Sequence, residues 1–179
     1  HVAPAAEAEP AAEPLPPLAT DDEAKEALKV FKKAYKATGY KGDEKTAMRD
    51  RAMRRLAEVQ HADVADRLFK LTRDRNEDIR TLAVMYLGEL RAIPGYAGRY
   101  VEQVAKKQAT DPVILMFAIE AISNLEYRGA LPLLRELLRH EDEGVRKVVI
   151  LNVGDMKELR MFEDLLELAK DLKIDQGWK

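Results

Sequence analysis

The chain has 179 residues, 46% of them hydrophobic and 35% charged, with 30 Lys and Arg set against 32 Asp and Glu for a formal charge of −2. That length supports one domain with a real core, and the near balance of charge excludes a whole-protein field for nucleic acid or anionic membrane. Cysteine is absent, which excludes disulfides and thiolate chemistry without fixing a compartment, and no apolar run approaches the ~18 residues of a membrane-spanning helix.

Residues 1–19, HVAPAAEAEPAAEPLPPLA, hold five prolines, seven alanines and three glutamates, with no Lys or Arg. Such a stretch has too little apolar bulk to offset the entropy of ordering, and its prolines favour an extended backbone. Residues 1–20 therefore read as a disordered spacer. It lacks the basic and apolar regions of a signal peptide. Spacers of this kind follow removed export signals, so an exported or periplasmic location is preferred, and a trimmed tail of a cytoplasmic protein also fits.

From residue 21 the pattern turns helical. Thr20 and Glu23 make a capping box, and Gly39 is the expected C′ residue of a helix over 21–38. Ala24, Ala27, Leu28, Phe31, Ala34 and Tyr35 form its apolar stripe, and Lys25, Lys29, Lys32, Lys33 and Lys36 much of the remainder. The plain reading is a capping helix with a solvated lysine face. The sharper one is docking to an acidic partner or membrane surface.

Four segments then align without gaps: MRDRAMRRLAEV (48–59), IRTLAVMYLGEL (79–90), ILMFAIEAISNL (114–125) and VRKVVILNVGDM (145–156). Apolar residues recur in columns, such as Met48/Ile79/Ile114/Val145 and Leu56/Leu87/Ile122/Val153, at offsets that share one helical face. The column Ala57/Gly88/Ser123/Gly154 holds only small residues, as expected where another backbone approaches closely. A second amphipathic stretch follows each segment, marked by the pairs Leu68/Leu71, Val101/Val104, Leu134/Leu137 and Leu165/Leu168. The breaks carry Pro94-Gly95, Asp111-Pro112 and Gly129. The spacing predicts helical hairpins over about 43–73, 76–108, 111–140 and 143–174.

The pattern V/I-R-x-x-A-x-x-x-L-G-x-L, matched nearly whole by IRTLAVMYLGEL, resembles HEAT repeats, and most closely the short bacterial, phycobilisome-lyase-type form. The resemblance implies an all-α solenoid, a right-handed superhelix of four hairpins behind the N-terminal helix. It also implies an Asp–Arg ladder between repeats, interrupted where Leu115 replaces the arginine seen at Arg49, Arg80 and Arg146. Arg51, Arg54 and Arg55 mark the first hairpin as a terminal repeat.

Catalytic material is thin. Ser123 is the only serine and lies in the small-residue column. His61 and His140 fall in turns on opposite edges of a solenoid, a helix length of roughly 20 Å apart. Acidic clusters such as Glu141–Asp142–Glu143 sit among Arg and Lys at ion-pair spacing. No Gly-rich phosphate loop, HExxH or EF-hand spacing occurs. The chain is therefore read as no enzyme, with no cofactor and no metal site.

Solenoids present long surfaces, so the leading function is a scaffold for another protein or peptide. The candidate contacts are Arg67, Lys70, Gln103, Arg135, Glu136 and Glu167 on the second helices, with Tyr96 and Tyr100 from an inserted turn AIPGY. Arg73, Lys106, Arg139 and Lys170 fall at one position of every second helix. They form a basic edge that either complements the helix dipole or receives an acidic or phosphate-bearing ligand. Rival readings are nucleic-acid binding through the lysine helix with Lys41, Tyr35 and Tyr40, and, from the lyase-like resemblance, a chaperone or lyase for a tetrapyrrole. Residues 21–37 are expected to fold back so that Phe31 and Tyr35 cover Met48, Ala52 and Leu56. At the far end Leu165, Leu166, Leu168 and Leu172 are expected to face inward or cover the fourth repeat, beneath Trp178.

Overall fold

The structure, a computed structural model, describes residues 14–37 and 41–175, for 171–175 the backbone alone. Residues 1–13 of the spacer, Gly39, Tyr40, Trp178 and the Leu172 side chain lie outside what it describes. The described residues are all-helical: α1 (Asp21–Tyr35), α2 (Gly42–Ala57), α3 (Ala62–Leu71), α4 (Glu77–Gly88), α5 (Pro94–Lys107), α6 (Pro112–Asn124), α7 (Leu131–Leu137), α8 (Glu143–Asp155) and α9 (Phe162–Asp175). Short 3-10 turns at 128–130 and 159–161 lead into α7 and α9.

Local chemistry starts most of the helices. The Glu23 backbone N–H donates to Thr20 Oγ1, and the Thr20 N–H donates back to the Glu23 carboxylate at 2.7 Å, a closed capping box. Asn76, Asp111 and Asp142 stand three residues before Ile79, Ile114 and Val145. Each accepts the N–H of that residue, at 3.0, 3.2 and 2.9 Å. The motif AIPGY is not a free turn: Pro94 opens α5, where its missing N–H costs nothing, so Tyr96 already lies on a helix.

The first helices α2, α4, α6 and α8 stack in succession, and α3 and α5 pack against them and each other as a second layer. The predicted columns fill the core, with Ile79, Ala83 and Leu87 of α4, Ile114, Ala118 and Ile122 of α6, and Leu90 and Leu125 just past their ends all buried. Gly88 explains the small-residue column. A Cβ built there would lie 2.8 Å from both Cα and Cβ of Ala121, so α4 and α6 meet closer than any side chain allows.

The arginine column acts differently from a ladder of ion pairs. Arg80 Nη1 donates to the carbonyls of Asp74 and Arg75, and Arg146 Nη1 to those of His140 and Glu141, so each guanidinium ties down the turn preceding its own helix. Leu115 is fully buried at that position in α6. In α2, Arg49 stacks on the Tyr35 ring, 4.6 Å from its centroid.

A buried amide joins the first two hairpins. Gln60 Nε2 donates to the carbonyls of Ala57 (2.9 Å) and Glu89 (3.2 Å), and its Oε1 accepts from the Ala92 N–H (3.0 Å). The α6 and α8 C-termini close differently: Glu126 and Lys157 take positive φ, and the N–H of the residue after each reaches back to Ile122 and Val153.

The two ends of the stack differ. α1 docks on α2 and α3, and Phe31 joins the core with Ala52 and Leu56. Tyr35 stays at the margin, where its hydroxyl donates to Asp74 at 3.1 Å and its ring lies beneath Arg49. At the other end Leu165 and Leu168 pack on the core, as their spacing predicts, while Leu166 is exposed. It follows Leu165 directly, and adjacent helical residues point about 100° apart.

Candidate interaction surfaces

The second-helix residues expected to meet a partner are mostly engaged within the chain. Asp66 of α3 accepts hydrogen bonds from both Tyr96 (2.8 Å) and Tyr100 (2.6 Å) of α5, and the Tyr100 ring stacks on Phe69 at 4.1 Å between centroids. The carboxylate bond pushes the Tyr100 hydroxyl pKa well above the usual phenol range. Arg67 lies over the Phe31 ring at 5.2 Å, part of the seat of α1. Arg135 Nε donates to Asp164 at 2.9 Å, and Glu167 accepts from Arg139 at 2.8 Å. Glu136 is exposed near Lys106. Lys70 and Gln103 are exposed, with no polar partner among the described residues.

The basic edge is likewise partly consumed. Arg73 covers the Phe69 ring at 4.9 Å, Lys106 pairs with Glu102 at 2.7 Å, and Arg139 holds Glu167. Lys170 is exposed without a partner among the described residues. Only the Arg139 contact crosses to the next repeat; Arg73 and Lys106 are engaged by residues one turn before them.

On the lysine helix, Lys25 pairs with Asp22 and Lys29 with Glu26, both at 3.3 Å, so the exposed face is mixed in charge. The more distinctive feature lies on its other side. Between α1 and α2 runs a groove of about 510 Å³ with a floor of Ala27, Val30, Phe31, Ala34, Met48, Ala52 and Leu56. Glu23 and Glu26 stand on the α1 wall, Arg51 and Arg55 on the α2 wall.

The sequence register explains the groove. Arg51 and Arg55 occupy positions filled in later first helices by Leu82/Tyr86, Phe117/Ala121 and Val148/Asn152. At the fully buried end of that series, Tyr86 donates to Asp50 on α2 and Ala121 meets Gly88 on α4, so these positions face the preceding first helix. No first helix precedes α2 among the described residues. α1 covers only part of the vacant side, and Arg51 and Arg55 line the rest, both exposed and without an ion-pair partner among the described residues. The charge swap at these two positions was the only sequence signal of the groove.

Reaction chemistry gains no constellation. His61 Nδ1 accepts from the Asp63 N–H and Nε2 lies 3.1 Å from Asp21, a helix cap. His140 caps the next turn in the same way through Asp142 N–H. Burial, reinforced by the Asp74 charge, pushes the Tyr35 hydroxyl up to about 12, away from useful acid–base catalysis near neutrality. Among the described residues no three His, Asp or Glu side chains cluster to hold a metal, and no helix is long and apolar enough to cross a membrane.

Comparison with known proteins agrees with the stacking. The family model described as HEAT repeats matches residues 100–174, from α5 through α9, and the helices before it stack in the same succession. No curated protein matches the chain. HEAT repeats commonly mediate protein–protein interaction. The match over residues 100–174 and the stack of four first helices support a HEAT-repeat family for the chain.

Proposed function

We propose that the protein is a non-catalytic interaction scaffold that receives an amphipathic helix of a partner protein in the groove between α1 and α2. One observation carries the reading: an apolar floor lies open between walls of opposite charge, and its two arginines are unpaired among the described residues. The groove lies along α2 at the place a preceding first helix would occupy, so a helix is the element that fits there. A partner helix matching both walls carries an apolar stripe at i, i+3/i+4 and i+7, with acidic residues on the flank that meets Arg51 and Arg55. Basic residues on its other flank face Glu23 and Glu26. The charges set orientation and partner choice, and the apolar stripe supplies most of the affinity. The second-helix face, its charges largely committed between repeats, contributes Lys70 and Gln103 as peripheral contacts.

Selection from a displayed library of helical peptides tests this. Recovered sequences should converge on amphipathic helices with one acidic flank, and Arg51→Glu/Arg55→Glu should reverse that flank to basic. Recovery of no helix, or of helices indifferent to the double substitution, would contradict it. The phosphate-binding and tetrapyrrole readings have no comparable observation in their favour.

A further inference from the structure

The C-terminal face of the stack is built as a junction and lacks its cover among the described residues. Five positions show it. Met53, Val84 and Ile119 occupy one position of α2, α4 and α6 and are all 0% exposed, whereas their counterpart Ile150 in α8 is 36% exposed. In the small-residue column, Gly88 is pressed on Ala121, but a Cβ on Gly154 would meet nothing within 4 Å.

The second helices repeat the pattern. Ala65, Gly98 and Leu131 are buried, and their counterpart Phe162 is 59% exposed. Thr72, Ala105 and Leu138 are buried, and Ala169 is exposed. Phe69, Glu102 and Arg135 reach forward to Tyr100, Tyr127 and Asp164 of the next hairpin, whereas Leu166 at the same position is exposed.

We infer that this face pairs with the same face of a second copy, α9 crossing α9 antiparallel about a two-fold axis near Leu166. Two observations select that occupant. First, the N-terminal end is a poor complement: α1 covers part of it, and Arg51 and Arg55 call for an acidic flank, whereas Ile150 and Gly154, the exposed positions of α8 on this face, are uncharged. Head-to-tail stacking of copies is thereby disfavoured, and a closed isologous contact is left.

Second, the flanking charges are self-complementary. Phe162, Leu166 and Ala169 form one stripe of α9, with Glu163 and Lys170 beside it, seven residues apart and so nearly in line. Their midpoint falls next to Leu166. Antiparallel crossing there sets Glu163 against the partner's Lys170, and the symmetry repeats the pair. Both residues are exposed and without a salt-bridge partner among the described residues, so neither contact has to displace one within the chain.

Sedimentation velocity on the whole chain, over a series of concentrations, is the test. A concentration-dependent dimer is expected. Leu166→Lys, at a site already open to solvent, should leave the helical circular dichroism intact and abolish the dimer. Glu163→Lys should raise its Kd by roughly tenfold, and Glu163→Lys/Lys170→Glu should restore it. A monomer at every concentration would overturn the inference and assign the face to another occupant. A dimer that survives Leu166→Lys would overturn it as well, since the contact would then lie elsewhere.

Discussion

Replacing glycine by alanine at one repeat position should have opposite effects in two repeats. In Gly88→Ala the new methyl is placed 2.8 Å from the Cα of Ala121, a backbone atom that cannot swing aside. α4 and α6 must separate, and overpacking of this kind costs about 1–3 kcal/mol, against which alanine returns up to ~1 kcal/mol of helix propensity. The net is a destabilisation of roughly 1–2 kcal/mol. In Gly154→Ala the same methyl meets nothing within 4 Å, so the propensity gain of about 0.5–1 kcal/mol stands alone. The two variants should differ by about 2–3 kcal/mol, or roughly 5–10 °C in Tm for a domain of this size. Urea denaturation at a concentration where the chain is monomeric reads the difference directly. Shifts of the same sign and size in both would refute the close approach of α4 to α6 and the openness of α8.

Gln60→Leu keeps the volume but removes three hydrogen bonds at the first junction, and a loss of about 2–3 kcal/mol is expected in urea denaturation, with early loss of amide protection at Ala92. Phe31→Ala should cost about 3 kcal/mol or more and make α1 the first site of proteolytic cleavage. A fourth prediction concerns acid. Glu158 is buried and held by two bonds from Arg160, both 2.7 Å, which push its pKa down to about 2. A depressed carboxylate contributes stability above its unfolded value near 4.5, and that contribution is lost as pH falls toward 2. Urea midpoints measured from pH 5 to pH 2 should therefore fall less steeply in Glu158→Gln than in the parent.

The repeat was legible because a buried helical face imposes its own period: Ile79, Ala83, Leu87 and Leu90 mark the core whatever lies beyond them. The capping box at Thr20 and the break at Pro94 were legible for the same local reason. Contacts across the stack were not. Tyr96 and Tyr100 read as free anchors, since nothing nearby in the sequence marks Asp66, 30 and 34 residues away, as their shared acceptor. Of the basic edge, only the Arg139–Glu167 pair, 28 residues apart, was hidden in this way, since Glu102 stands one turn before Lys106 on the same helix. The groove was half visible. Arg51 and Arg55 signalled a terminal repeat, but how much of that end α1 would leave open depends on its docking angle, which no periodicity encodes.

A methyl-resolved NMR titration with an amphipathic helical peptide carrying one acidic flank tests the scaffold reading most directly. Shifts should centre on Ala27, Val30, Ala34, Met48, Ala52 and Leu56, with none along α5 or α7. Arg51→Glu/Arg55→Glu should raise the Kd about tenfold or more, and a peptide with the flank charges exchanged should regain the loss. Shifts spread over the second-helix face, or binding unchanged by the double substitution, would contradict it.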